Sequence, residues 1–203
     1  NFQDLILFAA NYGKRKSGDT PVTYPQNYPD AWNQLLTVAL APAPLQTPTN
    51  IKQSTAESLL DSTVAEITPQ LPPAQQQTLS EIDIKVVDLA NESLGRAAAG
   101  TIYIDVNAAG YGWFIDATPA EHSEFSPASD LTLIALPDSE AAGLIDFRTV
   151  ILHELSHLLG YEHDTDGLMQ ETLAPGVRYL ADWESATDEF FGSLADETAL
   201  SIF

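Results

Sequence analysis

The chain has 203 residues, of which 44% are hydrophobic, and this is enough for one substantial core. Its formal net charge of -21, from 29 acidic and 8 basic residues, argues against nucleic acid and anionic membranes as partners, because phosphate groups are bound by cationic side chains. The absence of cysteine excludes disulfides, thiolate metal sites and a cysteine nucleophile. A metal ion would therefore have to be held by imidazole, carboxylate or carbonyl groups.

The first fifty residues predict a short helix followed by a proline-rich linker. Apolar residues recur at helical spacing over residues 1–13, and six prolines between residues 14 and 50 disfavour regular structure there, apart from a turn of helix around 31–40. Residues 1–50 are therefore predicted to form a helix and a linker or strap, and residues 51–203 a separate domain. The chain shows no run of about 20 apolar residues, so we expect no membrane insertion. It also shows no signal peptide, and we expect the chain to be a piece of a longer multidomain protein.

From residue 51 onward, helical and strand patterns follow one another. Asn91 and Gly95 predict a turn between the first two strands. The predicted helices cover residues 51–67, 73–79, 146–160 and about 182–194. The predicted strands cover residues 82–87, 101–106, 113–115 and 131–136.

Three of the four histidines lie in the segment HELSHLLGYEH. Residues four apart on a helix lie one turn above each other, so His153 and His157 can direct their ring nitrogens at one point. Glu154 borders the same face and can accept a proton from a metal-bound water. The alternative for this pair alone is a helix whose two histidines face solvent or pack in a core.

The residues after the helix add a third imidazole. Gly160 permits a left-handed conformation that ends the helix and lets His163 approach the two helix histidines. Three imidazoles leave one position of a tetrahedral zinc ion open, which is typical of catalytic sites. Asp164 is an alternative third ligand, although imidazole is favoured at this position.

This pattern, HExxHxxGxxH, resembles the motif of the metzincin family of zinc metalloproteases. The chain is most similar to matrixin-like proteases of large bacterial secreted proteins, in which segments like GTIYIDVNAAGYGWFID precede the active-site helix. The resemblance implies that His153, His157 and His163 bind zinc and that Glu154 is the general base and acid. It also implies that Met169 forms the hydrophobic floor beneath the metal.

The same resemblance implies a fold and a function. The fold is a metzincin-like zincin fold of the α+β class, with a twisted, mostly parallel sheet, an antiparallel edge strand, the active-site helix and a C-terminal helix. The function is that of a secreted, extracellular, monomeric zinc endopeptidase acting on protein or peptide substrates. The alternative is a noncatalytic zinc-stabilised binding or cell-surface module of a larger secreted protein, which the intact Glu154 disfavours.

Substrate binding by such an enzyme requires an edge strand that pairs with an extended peptide. The predicted edge comprises Gly112, Trp113 and Phe114. The segment with Pro175 and Tyr179 resembles the pocket wall of the family. The dipeptide at 170–171 departs from the usual neighbours of the methionine, so no tyrosine ligand is expected.

The sequence also predicts further ion sites and a regulatory segment. His122 is predicted to be a surface loop residue, with a second metal site as the alternative. Asp19 or Asp30 could occupy the open zinc position and hold the site latent. The first 13 residues resemble the end of a dockerin-type calcium repeat, and a structural calcium ion could bind acidic loop residues: Asp105, Asp116, Glu121, Glu124 and Asp138.

Overall fold

The structure is a computed structural model that describes residues 35–39, 48–118 and 121–182. These ranges do not include the predicted helix over residues 1–13 or the predicted helix over about 182–194. They also do not include Asp19 and Asp30, the residues considered for holding the site latent.

Three α-helices lie where the apolar spacing predicts them: α1, Gln53–Ile67; α2, Pro73–Leu79; and α3, Phe147–Leu158. Two short 3-10 helices cover Thr68–Gln70 and Gly167–Met169. Helix α1 buries Ala56, Leu60, Thr63 and Ile67, which share one face at spacings of three and four. Helix α2 begins at a proline, whose fixed φ suits the first helical turn.

The largest sheet has five strands in the order β2, β4, β3, β1, β9. Their bounds are β1, Leu35–Val38; β2, Asp83–Val87; β3, Ser93–Ala98; β4, Thr101–Asp105; and β9, Thr172–Leu173. The pairs β2–β4 and β1–β9 are parallel, whereas β3 is antiparallel to both β4 and β1. Four strands therefore run in one direction. The mixed α+β class is confirmed, but the antiparallel strand lies in the middle of the sheet because β1 and β9 extend the sheet beyond it.

Two strands of this sheet were predicted as other structures. The turn occurs at Asn91, with φ of 62°, but Gly95 lies within strand β3 and not in the turn. Strand β1 lies where the sequence favours a linker with a turn of helix. Because β1 pairs with β3 and β9, residues 35–38 belong to the same sheet as the strands after residue 51. This sheet therefore contains residues from both sides of the domain boundary predicted at residue 50.

Two smaller sheets complete the described fold. Strands β6, Phe125–Pro127, β7, Thr132–Ala135, and β10, Val177–Tyr179, form an antiparallel sheet in the order β10, β7, β6. Strands β5, Trp113–Phe114, and β8, Ile145–Asp146, form a short parallel pair. Strands β5 and β7 confirm the predictions over 113–115 and 131–136. Strand β8 leads directly into α3 and so fixes where that helix begins.

Helix α3 is central to the main core. It packs on β3 and contacts α1, β1, β4 and β10. Its buried apolar residues include Phe147, Val150, Ile151, Leu152 and Leu155. None of the helices in the described ranges has both the length and the apolar character needed to cross a bilayer. The site residues of α3 are thus held by a helix that is fixed on several sides.

Candidate metal centre

The start of α3 is anchored by a buried arginine. The Asp146 side chain caps the helix, because its Oδ2 accepts hydrogen bonds from the backbone N–H of Thr149, at 3.1 Å, and from its hydroxyl, at 2.6 Å. Arg178 of β10 is 0% exposed and donates to both Asp146 oxygens, from Nε at 3.1 Å and from Nη2 at 2.7 Å. A third hydrogen bond joins Arg178 Nη1 to Asp116 Oδ2 at 2.8 Å. This network ties α3 to the strand that follows Met169 and β9.

The three motif histidines meet at one point. Their Nε2 atoms are separated by 2.9 Å for His153–His157, 3.2 Å for His157–His163 and 3.3 Å for His153–His163. A tetrahedral metal with metal–nitrogen distances of about 2.0–2.1 Å requires nitrogen–nitrogen distances of about 3.3–3.4 Å. The triangle therefore fits three imidazoles around one ion, and these residues form the single group of three or more candidate ligands in the described ranges.

The orientation of two rings is fixed by backbone carbonyls. His153 Nδ1 donates to Leu168 O at 2.7 Å, and His157 Nδ1 donates to Tyr161 O at 2.9 Å. A carbonyl accepts and cannot donate, so each Nδ1 carries the proton and each Nε2 presents a lone pair to the centre. Lone pairs facing one another are unfavourable until a cation binds between them. This outer hydrogen bonding is the pattern that orients metal-binding histidines.

Burial keeps these imidazoles neutral. Loss of solvent lowers the pKa of His153 to about 3, although the Leu168 carbonyl opposes that shift and the two neighbouring histidines add to it. Burial also lowers the pKa values of His157 and His163. Neutral imidazole is the form that binds a metal, so these three side chains can bind an ion at neutral pH without first losing a proton.

The loop after α3 brings a third imidazole to the first two, as predicted. Gly160 has φ of +97°, a conformation that favours glycine, and the chain turns there toward His163. The alternative ligand, Asp164, instead accepts a hydrogen bond on Oδ1 from the Thr165 backbone N–H at 2.6 Å. The Asp164 backbone N–H donates to Met169 O at 2.9 Å. Thus the structure brings His163, and not Asp164, to the other two imidazoles.

Glu154, which follows His153 on α3, is completely buried. Its side chain is 0% exposed, and neither carboxylate oxygen completes a hydrogen bond with any described residue. Burial raises the pKa of Glu154 well above its usual value, while the nearby Ala97 backbone N–H and the charge of Arg96 oppose the shift. A carboxylate in this environment binds a proton more readily than one in water.

Gly95 of β3 makes room for that carboxylate. A Cβ atom at position 95 would lie 2.7 Å from Glu154 Oε1, 3.1 Å from Glu154 Cγ and 3.0 Å from Val150 Cγ1. Any side chain there would push Glu154 or the helix away. Sequence reasoning missed this role because a glycine after Asn91 is also typical of a turn.

The segment around Met169 contacts α3, and Leu168 packs against the main core. The Leu168 and Met169 carbonyls bind His153 and the Asp164 amide respectively, which places this turn under the cluster. Met169 itself is half-buried, and its role as the hydrophobic floor stays a prediction. Tyr179, whose hydroxyl donates to Gln170 Oε1 at 3.4 Å, and Pro175, in the turn between β9 and β10, are also half-buried. Substrate contacts by these two residues stay predictions.

The two aromatic residues of the predicted substrate edge contact other core residues. Trp113 is 8% exposed, donates from Nε1 to Asp105 O at 2.9 Å and packs edge-on against Phe147 at 5.2 Å. Phe114 is 5% exposed and packs against Phe125 in the smaller core. A substrate-binding role for Gly112 and these two aromatic residues stays a prediction, but both aromatic side chains are core residues in this structure.

The remaining predicted ion sites have other partners. His122 is half-buried, and its Nδ1 lies 3.3 Å from Arg178 Nη1; burial and the adjacent arginines lower its pKa, so it is not a plain surface residue. The Asp105 carboxylate accepts three backbone N–H groups, from Leu89, Asn107 and Ala109. With Asp116 bound to Arg178 as well, calcium stays a prediction that no described cluster supports.

An open depression of about 480 Å³ borders the cluster on one side, lined by His163, Asp164, Thr165, Gln170, Glu171 and Thr172. Glu171 Oε1 lies 3.8 Å from His163 Nδ1.

Comparison with models of protein families, with curated proteins and with solved structures found no match. The functional argument therefore depends on the geometry of the site and on the sequence resemblance.

Proposed function

We infer that this protein is a zinc-dependent endopeptidase of the metzincin type and part of a secreted protein. One observation carries the proposal: three imidazole Nε2 atoms form a triangle with sides of 2.9–3.3 Å, and Glu154 directly follows the first of these histidines on the same helix. A structural zinc site has four protein ligands, whereas this cluster supplies three and so leaves a position for water or substrate.

His153, His157 and His163 would hold the ion, which when bound supplies a Lewis acid that polarises a peptide carbonyl and acidifies water. The chain's own contribution to proton transfer is Glu154. Its raised pKa suits a group that accepts a proton from water and returns it to the leaving amine. The Leu168 and Tyr161 carbonyls hold two rings in the required tautomer throughout.

The test combines metal analysis with proteolysis. Purified protein is expected to bind one equivalent of zinc and to cleave denatured protein substrates, and a chelator should abolish cleavage. Glu154→Gln should keep zinc but lose cleavage. Glu162→Gln is the matched control, because Glu162 is exposed and adjacent to a ligand. Cleavage that survives in Glu154→Gln, or in chelator, would disprove the proposed mechanism.

A noncatalytic zinc-stabilised module is the second candidate, and one observation favours it. Glu154 is 0% exposed, so neither water nor substrate reaches its carboxylate in this conformation. Zinc binding without cleavage by the wild-type protein under any condition would favour this module over the enzyme.

A further inference from the structure

The three histidines of the cluster differ in the group that faces their Nδ1 atoms. In His153 and His157 this nitrogen donates to a backbone carbonyl, at 2.7 Å and 2.9 Å respectively. Within the described ranges no backbone carbonyl accepts from His163 Nδ1, and the group that faces it is the Glu171 carboxylate, with Oε1 at 3.8 Å. The third ring therefore has a charged neighbour where the first two have neutral ones.

This difference matters because a neutral imidazole has two tautomers, with its proton on Nδ1 or on Nε2. His163 Nε2 lies 3.2 Å from His157 Nε2 and 3.3 Å from His153 Nε2. The carbonyl partners leave both of those atoms with lone pairs. In metal-free protein a proton on His163 Nε2 would form a hydrogen bond to either neighbour, and it would block the lone pair that binds an ion.

The Glu171 carboxylate favours the other tautomer. An ionised carboxylate only accepts hydrogen bonds, so it stabilises the form of His163 that carries the proton on Nδ1 and a lone pair on Nε2. The separation of 3.8 Å is about 1 Å longer than a charge-assisted hydrogen bond of about 2.7–2.9 Å. The Glu171 side chain is 76% exposed and borders the open depression beside His163, so it has room to close this gap by rotation.

The backbone of Glu171 is held in place by strand β1. Its carbonyl oxygen accepts hydrogen bonds from the Thr37 backbone N–H at 3.0 Å and from the Thr37 hydroxyl at 3.3 Å. The next residue, Thr172, begins β9, which pairs with β1. The Glu171 side chain can therefore rotate while its attachment point stays within reach of His163.

We propose that Glu171 is a positioning residue for the metal centre, whose carboxylate accepts the Nδ1 proton of His163 and keeps the Nε2 lone pair directed at the point shared by the three rings. The inference rests on the proposed function for the identity of the ion, zinc. Position 171 is one of the two at which the chain departs from the usual neighbours of the methionine. The charged partner of the third histidine is thus assigned from the contacts of this chain.

The first experiment measures zinc affinity by competition with a chromophoric chelator. Glu171→Ala should raise the zinc dissociation constant about 10–100-fold, the usual effect of removing the hydrogen-bond partner of a metal-binding histidine. Glu162→Ala is the matched control, because it removes the same charge from an exposed side chain adjacent to His163, and its constant should stay near the wild-type value. Equal losses in the two variants would mean that charge alone is responsible and would overturn the proposal.

The second experiment needs no metal ion. In metal-free protein at neutral pH, long-range proton–nitrogen NMR correlations show which nitrogen of each imidazole carries the proton. Glu171→Ala should shift His163 toward the Nε2–H tautomer, whereas His153 and His157 should not change because their carbonyl partners remain. A His163 tautomer that is the same in wild type and Glu171→Ala overturns the positioning role, as does an equal change in all three rings.

The outcomes separate this inference from the proposed function, since neither experiment measures cleavage. Wild-type protein that binds zinc but cleaves nothing would refute the endopeptidase, and the effects of Glu171→Ala would still support the positioning role. An unchanged tautomer in a variant of an active, zinc-binding protein would refute the positioning role alone. Wild-type protein that binds no zinc would refute both.

Discussion

The close contact between Gly95 and Glu154 predicts a specific cost for a single methyl group. In Gly95→Ala the new Cβ would lie 2.7 Å from Glu154 Oε1, which is 0.3 Å inside the 3.0 Å that real Cβ contacts essentially never pass, and it would also press on Glu154 Cγ and Val150 Cγ1. Both neighbours are buried, so neither can swing into solvent. Overpacking of this kind typically costs about 1–3 kcal/mol of unfolding free energy.

A double-mutant cycle assigns that cost. Two of the three short contacts at Gly95 are made by Glu154, so Gly95→Ala should cost much less in a Glu154→Ala background than in the wild type. Urea unfolding at one pH gives the four free energies. In the single variant, peptide cleavage should also fall, by on the order of a hundredfold for a displacement of the proposed general base by about 1 Å. An equal cost of Gly95→Ala in both backgrounds would refute the contact as its cause.

Three further predictions concern the metal, the buried carboxylate and the arginine. Zinc should raise the unfolding free energy by about 2.7 kcal/mol at a hundred times its dissociation constant, and His163→Ala but not Asp164→Ala should abolish that gain in calorimetry. In metal-free protein, the raised pKa of Glu154 means that the folded state keeps its proton to a higher pH than the unfolded state does. The unfolding free energy should therefore fall as pH rises above the usual glutamate pKa, and Glu154→Gln should remove this slope in urea titrations. Arg178→Met should cost about 3–5 kcal/mol, because it leaves the Asp146 and Asp116 carboxylates buried without their partner, and a loss under about 1 kcal/mol would contradict this.

The sequence predicted the cluster of three histidines well because its geometry is local. His153 and His157 are set by one helical turn, and Gly160 alone decides that the chain reverses toward His163. Asp146 is similarly readable, as a capping residue just before an apolar helical pattern. These features depend on neighbours within about ten residues.

The parts that escaped prediction depend on partners far along the chain. Strand β3 is buried on both faces and contains glycine and alanine, so it shows no alternation. Strand β1 has only four residues and becomes a strand because β3 and β9 satisfy its backbone groups. Arg178 looks like an ordinary surface cation until Asp146 and Asp116 are placed against it.

The hydrogen bond from His153 to the Leu168 carbonyl has a consequence for the order of folding. It closes a loop of 15 residues, whereas the bond between Thr37 and Glu171 closes one of 134. Loop-closure entropy makes the longer closure costlier by about 2 kcal/mol. Contacts between distant residues also form more slowly than local ones. We therefore expect the histidine cluster to assemble first and strand β1 to dock late, so a newly made chain would pass through a state in which the three histidines are together and β1 is not yet paired with β9.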